Sequence, residues 1–268
     1  MGVGLQGEIK VKLLRHYKSV LAVCAAGSLL SVSAAARADL VVDFSNGSHA
    51  ARATFVVVGS QLTIVLENLA PSAASVPVDL LTGLWFSLSD PTLLSGGSVK
   101  LMSGAWIINP HKADSDGDGG GDGVETIGGM SFVSGEFGLE TGAAVAALNP
   151  LANVVIANAG LGDLVGSDDV FAGDDLDSPG SPNGMNYGIA PLSGLAADAN
   201  NGIKKEPLIA GGVLITLDFS GDLDLTDISN VAFNYGTDPN FTNVIPAPGA
   251  AAMALVGLAS VAARRRRT

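Results

Sequence analysis

An all-β fold, an antiparallel β-sandwich of the jelly-roll or Ig-like type, is what this 268-residue sequence predicts, and three observations predict it. Short runs of Val, Ile, Leu and Thr recur through 39–243 at a spacing of roughly ten residues, the cadence of strands joined by turns. Two such runs, 53–58 and 61–67, are split by Gly59-Ser60, a pair that suits a hairpin turn. Thirty-five glycines with only 5% aromatic residues favour short strands and turns over long helices.

Taken in order, the first expected strand is 40–44, followed by the hairpin. Within its second arm Leu62, Ile64 and Leu66 alternate with Thr63, Val65 and Glu67. That period of two buries one face of a strand and leaves the other more exposed. Further strands are expected at 80–88, 99–102 and 105–108, carrying Trp85 and Trp106. Large aromatics in such runs are expected to fill the space between two sheets; the alternative is an exposed sugar-stacking role. A glycine- and aspartate-rich insert at 112–129 breaks the pattern, and 131–134 follows it. The stretch 148–159 offers the one helical reading, and 165–187 reads as loop. Strands resume at 212–219 and 230–235, and the domain is expected to end near Asn243. No repeat of fixed period is present.

Both ends carry the marks of addresses. Lys10, Lys12, Arg15 and Lys18 precede an apolar run over 20–32, and Ala36-Arg37-Ala38 stands before Asp39. A basic segment, an apolar segment and a small-x-small site make a secretory signal peptide over 1–38, with signal helix and cleavage after Ala38. The sole cysteine, Cys24, lies inside the apolar run, so the chain after Ala38 has no thiol with which to form a disulfide.

At 244–268 a Pro246-Ala247-Pro248 motif precedes fifteen apolar residues at 249–263 and then Arg264, Arg265, Arg266 and Arg267. As a transmembrane helix that stretch spans about 22 Å at 1.5 Å per residue, short of a hydrocarbon core ~30 Å thick. The arginines favour the cytoplasmic side and so leave everything before Pro246 outside.

Charge excludes one class of function. From Asp39 to Ile245 the basic residues are Arg52, Lys100, Lys112, Lys204 and Lys205, against twenty-five acidic ones, a formal charge of −20. A nucleic-acid-binding surface needs the opposite sign. Acidity of this degree suits solubility and loose association with divalent cations.

Two clusters could carry chemistry. The segment from Asp114 to Glu125 satisfies the D-x-D-x-D-G-x5-E template of a calcium loop. Asp114, Asp116 and Asp118 would be side-chain ligands, Gly120 would offer its carbonyl, Asp122 would act through water and Glu125 would bind through both oxygens. Against that, position eight is Gly121, neither flank is an amphipathic helix, and the glycines make ordering costly in entropy. Ca2+ is thus the one cofactor suggested, with a solvated acidic loop as the alternative.

Asp168, Asp169, Asp174, Asp175 and Asp177 form the second cluster. Paired carboxylates can run acid/base glycoside chemistry, but the surrounding Gly, Ser and Pro point to a wet turn. Beyond the signal segment the histidines are His49 and His111, and no nucleophile elbow, zinc-protease motif or phosphate loop occurs. No enzyme activity is expected.

With those residues in view, the tail resembles the sorting signal of bacterial exosortase-dependent surface proteins, whose usual form is Pro-Glu-Pro, an apolar helix and an arginine cluster. Here Ala247 stands where that pattern has glutamate. The exported part resembles one domain family among these proteins. The similarity runs through Ala53-Thr54-Phe55, Leu62 to Asn68, Asp79 to Phe86, Ser181 to Ile189 and Ile228 to Thr237. The 114–125 loop lies outside that pattern and looks like an insertion.

The resemblance implies export through signal peptidase and handling near Pro246–Pro248 by an exosortase-type membrane sorting enzyme. It then implies release or transfer to the cell surface, in company with extracellular polysaccharide, and no catalytic residues. A calcium- or carbohydrate-binding adhesion module is the alternative reading.

Overall fold

The computed structural model describes residues 39–109, 133–172, 184–239 and 242–244. Within them the chain is all-β, with two short helices, and its strands form two sheets.

The first sheet is built from alternation. β1 (Leu40–Ser45) and β2 (Ala50–Val58) pair antiparallel, and β2 continues through the Gly59-Ser60 turn into β3 (Gln61–Asn68) in the register Val58↔Gln61 to Ala51↔Asn68. The hairpin is therefore where the turn residues put it. Ala51, Ala53, Phe55 and Val57 on β2, with Leu62, Ile64 and Leu66 on β3, are buried, while their neighbours are partly exposed. A one-residue slip would turn that whole set to solvent, which pins the register.

The other edge of β3 is taken by a late strand, β11 (Gly212–Phe219), which pairs on its far side with β5 (Leu94–Leu101). The order β1-β2-β3-β11-β5 thus closes between residues far apart in sequence.

The second sheet is organised on β4 (Leu81–Leu88), whose residues are almost all buried because both faces are covered. One edge of β4 pairs with β12 (Ile228–Tyr235), which carries β13 (Thr242–Val244) at the sheet's end. The other edge is shared by β8 (Val154–Ala157), with β7 (Gly138–Thr141) beyond it, and by β9 (Ile189–Ala190). From β9 the sheet runs through β10 (Leu208–Ala210) to β6 (Trp106–Ile108) at the opposite edge.

One cluster takes buried side chains from both sheets, including Phe55, Leu62, Ile64 and Ile215 from the first and Leu84, Phe86, Ile156 and Phe233 from the second. Phe55 meets Phe86 edge-on at 5.6 Å, and Phe44 stacks on Phe233 at 6.1 Å. Two smaller clusters lie outside this core. One gathers Trp85, Val145, Val155 and Ala232, and the other Leu80, Ile203 and Leu208.

Several expectations are corrected. The stretch 148–159 is not the helix. α1 occupies Ala143–Leu148, and the chain then turns and forms β8. Val154, Val155 and Ile156 are β-branched and buried on both faces, and that favours a strand over the helical reading. The short α2 spans Asn201–Lys204. Pairing is not wholly antiparallel, because β9 and β10 run parallel.

Neither tryptophan fills the gap between the sheets. Trp85 is fully buried in the cluster beneath α1, on the face of β4 opposite Leu84 and Phe86, whereas Trp106 is 48% exposed. Strands β7, β9, β10 and β13 were not anticipated; of the stretch 131–134, residues 131–132 lie outside the described residues and Ser134 opens a single helical turn, Ser134–Glu136. No helix among the described residues is long and apolar enough to cross a membrane. The signal segment 1–38, the insert 112–129 and the tail 245–268 lie outside the described residues.

Candidate functional site

The sharpest polar constellation sits where the β1–β2 turn meets the connection from β3 to β4. Asn46 Oδ1 accepts the His49 N–H at 3.0 Å, and Asn46 N–H donates to the His49 carbonyl at 3.0 Å. This asparagine turn presents the imidazole to the ring of Tyr235, with centroids 4.5 Å apart. Asp79 closes a helical turn at Pro77–Asp79, where its Oδ2 accepts from Ser75 N, Ser75 Oγ and Val76 N at 2.8, 3.1 and 3.0 Å. Its other oxygen, Oδ1, lies 3.6 Å from His49 Nε2.

That separation is too long for a hydrogen bond, and Nε2 is buried with no hydrogen-bond partner. Ser75 gives its hydroxyl hydrogen to the carboxylate and not to the imidazole. The cluster therefore lacks the nucleophile-to-base contact of a hydrolytic triad. Asp79 caps its own helical turn, and the imidazole packs on Tyr235 of β12.

The same corner is fastened by Asn68, 2% exposed at the end of β3. Its amide donates to the carbonyls of Asp79 and Ile189 at 3.0 and 2.8 Å, and its oxygen accepts Ala70 N–H at 3.1 Å. Tyr235 completes it from β12. Burial pushes its phenol far above the usual range, and its hydroxyl has no hydrogen-bond partner. Neither Asn68 nor Tyr235 stood out in the sequence, because an isolated polar residue inside an apolar run carries no spacing signal.

A second polar group forms around the aspartate cluster. Asp168 and Asp169 lie on the helical turn Ser167–Asp169, where Asp169 Oδ2 accepts Gly166 N–H at 2.9 Å. The neighbour of Asp169 is Glu140 on β7. Burial pushes the Glu140 carboxyl up; the Thr141 N–H, donating to Oε1 at 2.9 Å, offsets part of this, and the nearby Asp169 charge and hydrogen bond add to the rise. The carboxyl pair here thus joins a strand to a turn and is not internal to the aspartate run. Spacing along the chain could not reveal it. Glu140 and Asp169 are both half-buried at the surface.

Of the residues singled out from sequence, Asp39 is exposed immediately before β1, and Asp168 and Asp169 are placed as above. Ala36, Ala38, Asp114, Asp116, Asp118, Gly120, Asp122, Glu125, Asp174, Asp175 and Asp177 lie outside the described residues, as do Pro246, Ala247, Pro248 and Arg264 to Arg267. Among the described residues no three His, Cys, Asp or Glu side chains gather as a metal ion requires. Comparison with protein-family models, with curated proteins and with solved structures finds no match for this chain.

Proposed function

We propose that this chain is an exported, non-enzymatic cell-surface or extracellular-matrix protein. Signal peptidase removes 1–38, and a membrane enzyme of the exosortase type sorts and processes the chain at Pro246-Ala247-Pro248. The segment 249–263 holds the precursor in the membrane as a transmembrane helix. The charges of Arg264 to Arg267 resist translocation, so the proline motif is parked at the outer face.

One observation supports this reading above the others: the folded body fits between the two address segments. β1 begins at Leu40, two residues after Ala38, and β13 ends at Val244, two residues before Pro246. Neither cleavage would remove a strand of the described residues. The finer architecture belongs to the same proposal, a β-sandwich of jelly-roll or Ig-like type. Its support is the shared core of the two sheets and the return of β11 to lie between β3 and β5.

Replacing Arg264, Arg265, Arg266 and Arg267 together with glutamine tests the sorting mechanism in cells that make the protein. Mass spectrometry of the termini is expected to show wild-type chain beginning at Asp39 and cut near Pro246, and the variant left unprocessed at its C-terminal side. Undiminished processing and unchanged location of the variant would refute the mechanism.

A further inference from the structure

Among the described residues Trp106 is the large aromatic that the fold leaves outside. It stands on β6, the edge strand of the second sheet, paired with β10 through Trp106↔Ala210, Ile107↔Ile209 and Ile108↔Leu208. Ile108 is buried, whereas Trp106 is 48% exposed. Beside it the loop after β9 carries Leu192, 61% exposed. Two glycines bring these side chains down onto backbone. A Cβ at Gly194 would lie 3.7 and 3.9 Å from Cζ2 and Cη2 of Trp106, and one at Gly211 would lie 3.3 Å from Leu192 Cδ1 and 3.6 Å from Ala105 Cβ. Trp106 rests on Gly194, and next along the chain Leu192 and Ala105 rest on Gly211, so each part of the apolar step lies on glycine.

That floor is held by backbone hydrogen bonds. Gly194 N–H donates to Pro191, Gly194 accepts from Ala74 N–H at 2.9 Å, and Gly211 N–H donates to Ala190 at 2.9 Å. The platform is thus rigid before anything binds, which lowers the cost of binding. Ser193, exposed between Leu192 and Gly194, carries a hydroxyl next in the chain to the glycine beneath Trp106.

Charge selects the occupant. Between Asp39 and Ile245 the chain carries −20, yet 101–109, 188–197 and 208–213, which carry Trp106, Gly194, Leu192 and Gly211, hold no Asp, Glu, Lys, Arg or His; Glu67, whose Cγ lies 3.2 Å from a Cβ built on Gly212, borders them at the Gly212 end. Lys204 and Lys205 approach β10 from the end that pairs with Ile108, away from Trp106. An anionic polymer or anionic membrane is repelled by the body as a whole, and so is a second copy of the chain. A basic protein would find its carboxylate at Glu67, beside Gly212, and none in the segments that carry Trp106 and Gly194. What remains is an uncharged ligand with an apolar face and hydroxyls at its edges.

We propose that Trp106, supported by Gly194 and flanked by Leu192 and Ser193, is a stacking site for a pyranose ring of a neutral polysaccharide. The ring's C–H face lies on the indole, as apolar surface lies on any aromatic face, and its hydroxyls meet water and the Ser193 hydroxyl. The site stands apart from the tail, so it holds or fails whether or not Pro246–Pro248 is processed.

Fluorescence tests it cleanly, because Trp85 is fully buried and Trp106 is the accessible one of two tryptophans. The probes are soluble neutral glycans, a β-glucan, a mannan and a galactomannan, with alginate as the anionic control. They are added to the full chain as the producing cell leaves it. The expected result is acrylamide quenching of Trp106 in the free protein and its protection by at least one neutral glycan, together with retarded migration in a gel containing that glycan. Trp106→Ala is expected to weaken binding by at least about tenfold, equivalent to about 1.4 kcal/mol of lost contact, while Leu148→Ala, another exposed apolar site, leaves it unchanged. Circular dichroism of Trp106→Ala checks that the fold is kept.

Four outcomes overturn the proposal: no retardation by any neutral glycan, equal retardation of Trp106→Ala, stronger binding to alginate, or a fluorescence signal already shielded in the free protein. A concentration-dependent dimer in sedimentation that Trp106→Ala abolishes also overturns it, in favour of self-association.

Discussion

Cutting the contact between Phe55 and Phe86 asks whether the two sheets share one core. Phe55 on β2 is fully buried, and its ring lies 5.6 Å from that of Phe86 on β4, the planes at 73°. This edge-to-face pair crosses from the first sheet to the second. Phe55→Ala removes a fully buried aromatic and leaves a hole that flanking strands cannot fill, at a cost of about 3–5 kcal/mol. A domain of this size is stabilised by only about 5–15 kcal/mol in total, so the variant retains a fraction of its margin. At about 2–4 °C per kcal/mol the melting temperature should fall by roughly 6–20 °C.

The single variant cannot prove where the ring points, so the decisive measurement is a double-mutant cycle. Phe55→Leu, Phe86→Leu and the double variant, unfolded in urea, keep most of the volume and remove ring-on-ring geometry. The cycle should return a coupling of about 0.5–1.5 kcal/mol. Val58→Ala at an exposed site serves as control and should stay within about 0.5 kcal/mol of wild type. The packing is wrong if the two Leu substitutions add without coupling and Phe55→Ala costs no more than Val58→Ala.

Two further variants follow from polar groups. Tyr235→Phe removes a buried hydroxyl with no hydrogen-bond partner while keeping the ring against His49 and Phe44. It should stabilise the protein by about 1 kcal/mol in urea unfolding; a loss of similar size would show that the hydroxyl is satisfied. Glu140→Gln should stabilise at pH 7 and not at acid pH. Folding raises the Glu140 carboxyl pKa, chiefly through burial, so the native state resists its ionisation. That penalty is absent below the unfolded pKa of about 4.3 and grows as pH climbs through the raised value. Half exposure limits the gain to a few tenths of a kcal/mol, the scale of screened surface pairs. Melting curves of both proteins at pH 4 and pH 7 check it, and an equal shift at both pH values contradicts the assigned cause.

Local pattern made the first sheet legible. Period-two alternation at Leu62, Ile64 and Leu66, with the Gly59-Ser60 turn, placed β2, β3 and their register, and the run at 212–219 placed β11. The pairing of β11 between β3 and β5 was not readable, since a strand's neighbours depend on global packing and not on its own residues. β8 was hidden because Val154–Ala157 is buried on both faces and so shows no alternation. Strands of two or three residues, such as β9 and β10, are too short to show any period. Trp106 was misjudged for a related reason. An aromatic in a short apolar run reads as core, and only the position of β6 at the sheet edge turns it outward. Glu140 beside Asp169, and His49 beside Tyr235, are meetings across the sheets that no linear spacing encodes.

Topology and charge together bear on how such a protein reaches its place. β3 ends at Asn68 and its partner β11 begins at Gly212, so the first sheet cannot complete its hydrogen-bond ladder until that late segment is available. Non-local β pairing is slow to form, and waiting strands such as β3 expose an unpaired edge that invites aggregation. On the proposed export route this wait happens outside the cytoplasm, without disulfides, because no cysteine follows Cys24. Twenty surplus negative charges between Asp39 and Ile245 then matter most before folding ends, when mutual repulsion keeps unfinished chains apart. Those charges gather largely in turns and inserts, leaving alternating strand faces such as Phe55, Leu62 and Ile64 free to find the core. On the proposed export route that acidity would protect the chain during delayed assembly, and the proposed stacking site at Trp106 lies where the local segments carry none of it.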